Sequence, residues 1–250
     1  FFKQKTAYEI STRDCSSDVC SSDLAEIADC TGAAYFCYCS NNTVEGTQFA
    51  RPPRVAAPLV CDATSDIFSR PWDLASHSLV FASGQKNLGA SGITLALVRR
   101  DFLERADRSL PGMLSYWNFS KTESRPNTPP TFGIYIAGLV FEWLKGEGGV
   151  AAVAARNAAK AALLYGFIDA SGWYRCPVHP ACRSRMNVPF MLPDPALEKA
   201  FCEQAAAAGL ANLEGHRSVG GLRASIYNAM PLEGVQALVA FMGDFQRRHG

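Results

Sequence analysis

No stretch of this sequence stays apolar for long. The longest such run, residues 133–141, stops at Glu142, well short of the ~20 residues that a membrane-spanning helix needs. Charge of one sign is also scarce: 24 Lys and Arg face 23 Asp and Glu, a formal net charge of +1, with no basic or acidic block. We therefore expect neither a nucleic-acid nor a membrane-surface partner held by bulk electrostatics. The nine cysteines are unevenly spaced and do not make the framework of a small secreted scaffold. They are expected to be mostly buried thiols in a reducing cytoplasm. What is present is ordinary for a folded protein: 48% hydrophobic and 19% charged residues in a chain of 250, enough for one or two domains and against wholesale disorder.

Residues 1–24 do not fit the rest. They show no helical or strand period, they carry a tandem echo in Cys15-Ser16-Ser17-Asp18 and Cys20-Ser21-Ser22-Asp23, and they lack the apolar centre of a signal peptide. Cys15 and Cys20 have no further ligands at metal-site spacing. The segment resembles the translated read-through of a sequencing-library adapter, so it is set aside from fold reasoning and expected to be disordered. With Phe1 rather than Met in first place, the native start is expected to be missing or replaced.

Beyond it, short apolar runs at 34–39, 55–61, 78–83 and 92–98 read as strands, the first three ending in polar residues. Apolar on both faces, they suit a mostly parallel sheet covered by helices, with a site at its carboxyl edge. A Pro-rich loop at 122–131 precedes helices expected at 132–145 and 150–167. A strand at 184–192, a helix at 195–210, a strand at 216–227 and a helix at 231–248 follow. The expected organisation is an α/β fold with part of a large domain at 25–145 and a small α+β domain at 146–250.

The chemistry concentrates in Ser83-Gly84-Gln85-Lys86-Asn87-Leu88-Gly89. A lysine just past an apolar strand, among glycines, would sit in a cleft where desolvation favours the neutral, nucleophilic amine. A surface lysine in a strand-to-helix turn is the plain alternative. Asp62 also ends an apolar strand, 24 positions earlier. Pyridoxal phosphate needs such a pair, an amine for its aldehyde and a carboxylate for its ring nitrogen, although a lone Asp62 could equally be a helix N-cap.

Asp62-Ala63-Thr64-Ser65, Ser69-Arg70-Pro71 and the Lys86 heptapeptide resemble the phosphoserine aminotransferase family, which has the fold-type-I pyridoxal-phosphate architecture. So do Asn127-Thr128-Pro129-Pro130-Thr131-Phe132, Ser184-Arg185-Met186-Asn187-Val188-Pro189-Phe190, Gly215-His216-Arg217 and residues 220–231. The resemblance runs from about Ala34 to Gly250. It implies amino transfer between glutamate and 3-phosphohydroxypyruvate in L-serine biosynthesis, and in some members use of 4-phosphohydroxythreonine in pyridoxine biosynthesis. Lys86 would carry the cofactor and Asp62 pair with its ring nitrogen. Thr43 would lie near the ring and Gln85 at the cofactor phosphate. Asn127 and Thr128 would reach the phosphate of the neighbouring subunit in a cytoplasmic homodimer. Arg223 would hold the substrate α-carboxylate in a bidentate fork, and His216 with Arg217 its distal anionic group.

The resemblance has gaps. The family's amino-terminal arm, its phosphate-binding turn and the aromatic residue stacked on the cofactor have no counterpart, so an inactive partial copy is one expectation. A serine– or alanine–glyoxylate aminotransferase is another, disfavoured by His216-Arg217. Asn127 and Thr128 could simply be turn residues, and His216 a satisfied surface histidine. Cys176, His179 and Cys182 offer three candidate zinc ligands without a fourth, so no metal is expected.

Overall fold

The computed structural model describes residues 30–250. Cys15, Cys20 and the expected disorder of 1–24 fall outside the described residues. The chain begins with strand β1 (Phe36–Cys39), the two-residue pair β2 (Asn41–Asn42) and β3 (Thr47–Gln48), and then β4 (Leu59–Asp62), β5 (Leu79–Ser83) and β6 (Thr94–Val98). The main sheet has the order β1-β4-β5-β6. β1, β4 and β5 are parallel neighbours, whereas β6 returns antiparallel to β5. The sheet is mostly parallel, and the fold is of the α/β class.

Two departures from the sequence reading have local causes. The run at 55–61 pairs only from Leu59 onward. Pro58 accepts from Phe36 N–H at 2.9 Å but has no N–H of its own to continue the ladder. The run at 92–98, expected to be covered on both faces, is instead an antiparallel edge strand with Thr94 and Leu97 exposed. The connection from β5 holds no helix, and a parallel return needs a longer crossover.

Helices α1 (Arg100–Glu104) and α2 (Tyr116–Lys121) are short and exposed. They precede α3 (Thr131–Gly146) and the 23-residue α4 (Gly149–Ser171). α4 runs past the expected end at 167 because its stop signal is Gly172, in the left-handed region at φ 64°. Strand β7 (Asn187–Phe190) then pairs antiparallel with β8 (Leu222–Ser225), and between them lies α5 (Glu198–Ala207). Helix α6 (Leu232–His249) closes the chain. The strand expected at 216–227 shrinks to four residues. Its first part is a turn in which Val219 and Gly220 N–H donate to His216 O, and Gly220 and Gly221 take positive φ.

Apolar burial is divided between two clusters. Tyr38, Leu59, Cys61, Val80 and Leu88 centre the first, around the main sheet. The second packs α4, α5 and α6 on the β7–β8 pair, with Phe201 edge-on to Phe190 and Phe245 at centroid distances of 5.9 and 4.9 Å. A polar seam joins the two. Ser184 Oγ donates to Asn41 Oδ1 and accepts from Met186 and Asn187 N–H at 3.0 and 2.9 Å. Asn41 Nδ2 donates to Ser65 Oγ at 2.8 Å and Asn187 Oδ1 at 3.1 Å. Ser184→Ala would orphan several of these buried groups at once. We expect it to lower the unfolding free energy by about 2–3 kcal/mol, read by urea denaturation, while exposed Ser120→Ala stays within about 0.5 kcal/mol of the parent.

Candidate active site

Parallel pairing in register sets Cys39 beside Asp62 and Asp62 beside Phe81. The residues that leave these strands, Ser40-Asn41, Asp62-Ala63 and Ser83-Gly84, therefore share one sheet edge. Ser83 N–H donates to Thr64 Oγ1 at 3.2 Å, which ties the ends of β4 and β5 together. From that edge the chain doubles back through a turn that requires glycine. A Cβ on Gly84 would stand 2.0 Å from Ala90 O, and Gly89 has a φ of 144°.

Lys86 stands on this turn, half-buried. Burial pushes its amine pKa down and the Arg223 guanidinium acts the same way, while Cys39, Asp62 and Asp66 oppose them. Asp62 is also half-buried, with Oδ1 accepting from Thr64 N–H at 2.9 Å. Arg223, on β8, reaches across from the second cluster to donate from Nη1 to Thr43 O at 2.8 Å. Its Nε is buried and has no partner among the described residues. Thr43 lies in the tight turn between β2 and β3, where a Cβ on Gly46 would stand 2.2 Å from the Pro189 ring. The hairpin is thereby pressed onto β7.

The structure thus brings Asp62, Lys86, Arg223 and Thr43 to one place. Gln85 is exposed beside Lys86. Asn127 and Thr128 are exposed in the loop before α3, Asn127 Nδ2 donating to Thr128 O at 3.3 Å. His216 and Arg217 occupy the turn before β8, with His216 Nδ1 2.6 Å from Ser218 Oγ. Among the described residues, no hydrogen bond or ion pair links these last five to the Lys86 group. His179 Nδ1 accepts from Ala181 N–H and caps a one-turn helix. No group of three or more His, Cys, Asp or Glu among the described residues could hold a metal ion.

Sequence reasoning passed over the groups beneath the site. Asp66 is wholly buried and accepts from Ser40 Oγ, from Gln48 Nε2 at 3.0 Å and from Arg70 Nη2 at 3.3 Å. Burial raises its pKa, opposed by Arg70 and by these hydrogen bonds. Ser40 Oγ also lies 3.1 Å from Asp62 O, so Asp66 supports the backbone of Asp62. The Asp66–Arg70 spacing of four was visible in the sequence. Asn87, next to Lys86, takes Asn228 N–H on its Oδ1 at 3.1 Å and donates to Ser65 O at 3.4 Å. Nothing in the sequence pairs residues 141 positions apart. A surface cleft of about 490 Å³ around Pro53, Val55 and Leu59 opens at the start of β4, away from the Lys86 edge.

The sequence profile of the aminotransferase class-V family matches residues 14–238. The chain is 56% identical over 219 residues to phosphoserine aminotransferase of Laribacter hongkongensis, covering 87% of this chain and 61% of that protein. The structure of phosphoserine aminotransferase from Bacillus circulans subsp. alkalophilus superposes with a TM-score of 0.88 at 47% identity, covering 91% of this chain and 63% of that one. The structure of PLP-bound phosphoserine aminotransferase from Trichomonas vaginalis gives 0.80 at 40% identity, covering 84% and 60%. The chain therefore spans about three-fifths of the length of these relatives, and its architecture is that of fold-type-I aminotransferases. This chain belongs to the aminotransferase class-V family.

Proposed function

We propose that this chain carries the lysine, the ring-nitrogen carboxylate and the substrate arginine of a pyridoxal-phosphate-dependent phosphoserine aminotransferase. The reaction moves an amino group between glutamate and 3-phosphohydroxypyruvate in L-serine biosynthesis; some members of the family resembled also use 4-phosphohydroxythreonine. One observation carries the reading. Lys86, its amine biased toward neutrality, shares a sheet edge with Asp62 and faces Arg223, whose buried Nε is unpartnered.

The residues present fit the cofactor. Lys86 offers an amine to its aldehyde, and Asp62, half-exposed with Oδ1 already engaged by Thr64, offers a fixed carboxylate to its ring nitrogen. When bound, pyridoxal phosphate supplies an electron sink for charge developing at the substrate α-carbon. Lys86 Nζ would be the base that carries the proton between the substrate α-carbon and the cofactor's C4′. Arg223, anchored at Nη1 by Thr43 O, turns its remaining donors to the substrate α-carboxylate.

Half-buried His216 and exposed Arg217, on the turn before β8, are assigned to the distal phosphate or carboxylate. That favours an anionic substrate over the glyoxylate-type alternative. Gln85 is assigned to the cofactor phosphate, and exposed Asn127 and Thr128 to the phosphate of a second subunit in a homodimer. The thiols of Cys37, Cys39, Cys61, Cys176 and Cys202 favour a reducing, cytoplasmic setting. No helix among the described residues is long and apolar enough to cross a membrane. We assign the domain boundary to the α3–α4 junction near 146.

In a polypeptide carrying this chain within its relatives' full length, Lys86→Ala is expected to abolish glutamate-dependent phosphoserine formation and the visible absorbance of bound cofactor. Lys86→Arg fails equally, because a guanidinium stays protonated. Near-native turnover by either variant refutes the assignment. Asp62→Asn is expected to keep cofactor bound while kcat falls about a hundredfold or more, measured under saturating cofactor. Arg223→Lys keeps the charge but loses the fork, so KM for glutamate should rise about tenfold or more. For the 250-residue chain alone, the same assay is expected to show no turnover.

A further inference from the structure

Lys160 is one of the largest wholly buried side chains, 1% exposed on the inner face of α4. Among the described residues no carboxylate pairs with it. Its Nζ donates to Ile226 O at 3.0 Å, Tyr227 O at 2.7 Å and Met230 O at 2.9 Å. An ammonium has three N–H donors, and here each has a backbone acceptor from the turn that follows β8. A cluster of carbonyls round a compact positive charge is also how proteins hold monovalent cations.

The turn so closed reaches the candidate site. Asn228 lies inside it and donates its N–H to Asn87 Oδ1 at 3.1 Å. Its side chain donates to Phe68 O at 3.1 Å and accepts from Asn157 Nδ2 at 2.8 Å. Asn157 is one helical turn before Lys160, so two polar side chains of one helix grip the same turn. Asn87 adjoins Lys86, and Arg223 is three residues before the first carbonyl that Lys160 binds.

We propose that Lys160 is a positioning residue, a tethered cation that closes the 226–230 turn and, through Asn228 and Asn87, fixes the backbone on which Lys86 stands. This rests on the reading of Lys86 as the reactive amine. A cleft of about 360 Å³, lined by Lys160, Arg156, Asn228 and Met230 among others, gives a small cation access to the three carbonyls once the side chain is shortened.

The test uses the 250-residue chain and no cofactor. Acetylation of Lys86 followed by mass spectrometry across pH gives its titration midpoint, and hydrogen exchange reports on the segment around Asn228. In Lys160→Ala the midpoint is expected to rise by about half a unit or more as the Lys86 turn loosens into water. Exchange at Asn228 is expected to quicken about tenfold or more. Ethylammonium should restore both and 1-propanol, of similar size but uncharged, neither. Leu164→Ala, which cuts the same buried helix face one turn on, should lower stability and leave Lys86 unmoved.

An unchanged midpoint in folded Lys160→Ala, an equal shift in Leu164→Ala, or restoration by propanol as well as by ethylammonium overturns the proposal. Failure of ethylammonium to restore either readout does the same. Folding that depends on ethylammonium supports it. If Lys160→Ala folds in neither buffer, Asn157→Ala must by itself raise the Lys86 midpoint, and an unmoved midpoint there overturns the proposal. Because Lys86 is titrated rather than assayed for turnover, failure here is distinguishable from failure of the transaminase reading.

Discussion

The site depends on buried amide and hydroxyl groups that can satisfy one another in only one arrangement. Asn41, Ser184 and Asn187 hold the end of β1 against the start of β7, and Asn87 with Asn228 holds the Lys86 turn against the end of β8. Each bond contributes only about 1 kcal/mol net, but an unmade one leaves a buried group unsatisfied at greater cost. Apolar contacts between the two clusters would tolerate sliding by a few tenths of an ångström. A seam of hydrogen bonds does not. That difference places Arg223, rooted in one cluster, against Lys86, rooted in the other.

The unpaired or half-paired charges follow from the same division. Asp66 is wholly buried yet supported by Ser40, Gln48 and Arg70. Lys160 is wholly buried, and among the described residues its acceptors are all carbonyls. Neither position is an economical way to stabilise a core, since a buried ion loses hydration that its partners return only in part. Both stand beneath loops that carry candidate chemistry. In each case the ion fixes backbone: Asp66 that of Asp62 by way of Ser40, and Lys160 that of Asn228.

How much could be read from the sequence varies with the range of the interaction. The strand ends at Asp62 and Ser83, the helix at 131–146 and the Lys86 turn follow from local apolar runs, glycines and prolines. The antiparallel return of β6 depends on connection length and was hidden behind a run as apolar as its parallel neighbours. The turn at 216–221 lay in a stretch read as strand, although Gly215, Gly220 and Gly221 marked it: a Cβ on Gly215 would stand 2.0 Å from Gly220 O. The seam was illegible because its partners are 143 and 146 positions apart, and single Asn and Ser residues carry no periodic signal. Lys86, Asp62 and Arg223 stood out by type and placement, whereas the groups that orient them did not.

Burial disfavours the charge of Lys86, and the nearby Arg223 guanidinium acts the same way. Cys39 and Asp62 oppose burial, each more strongly than Arg223 reinforces it, so the net lowering comes from desolvation. Among the described residues the buried Nε of Arg223 has no acceptor, and a buried donor in that state is costly. On the proposed reading, an incoming carboxylate would meet the Nη groups rather than the enclosed Nε, and would screen Lys86 from the guanidinium. On that reading the guanidinium is set in place before any ligand arrives, ready for an anion of the right shape. Such preorganisation lets a site favour binding without rearranging its own dipoles. It also explains why the arginine is held by a backbone carbonyl, Thr43 O, rather than by a carboxylate. A neutral acceptor fixes the fork's direction and, on the proposed reading, leaves its charge for the substrate.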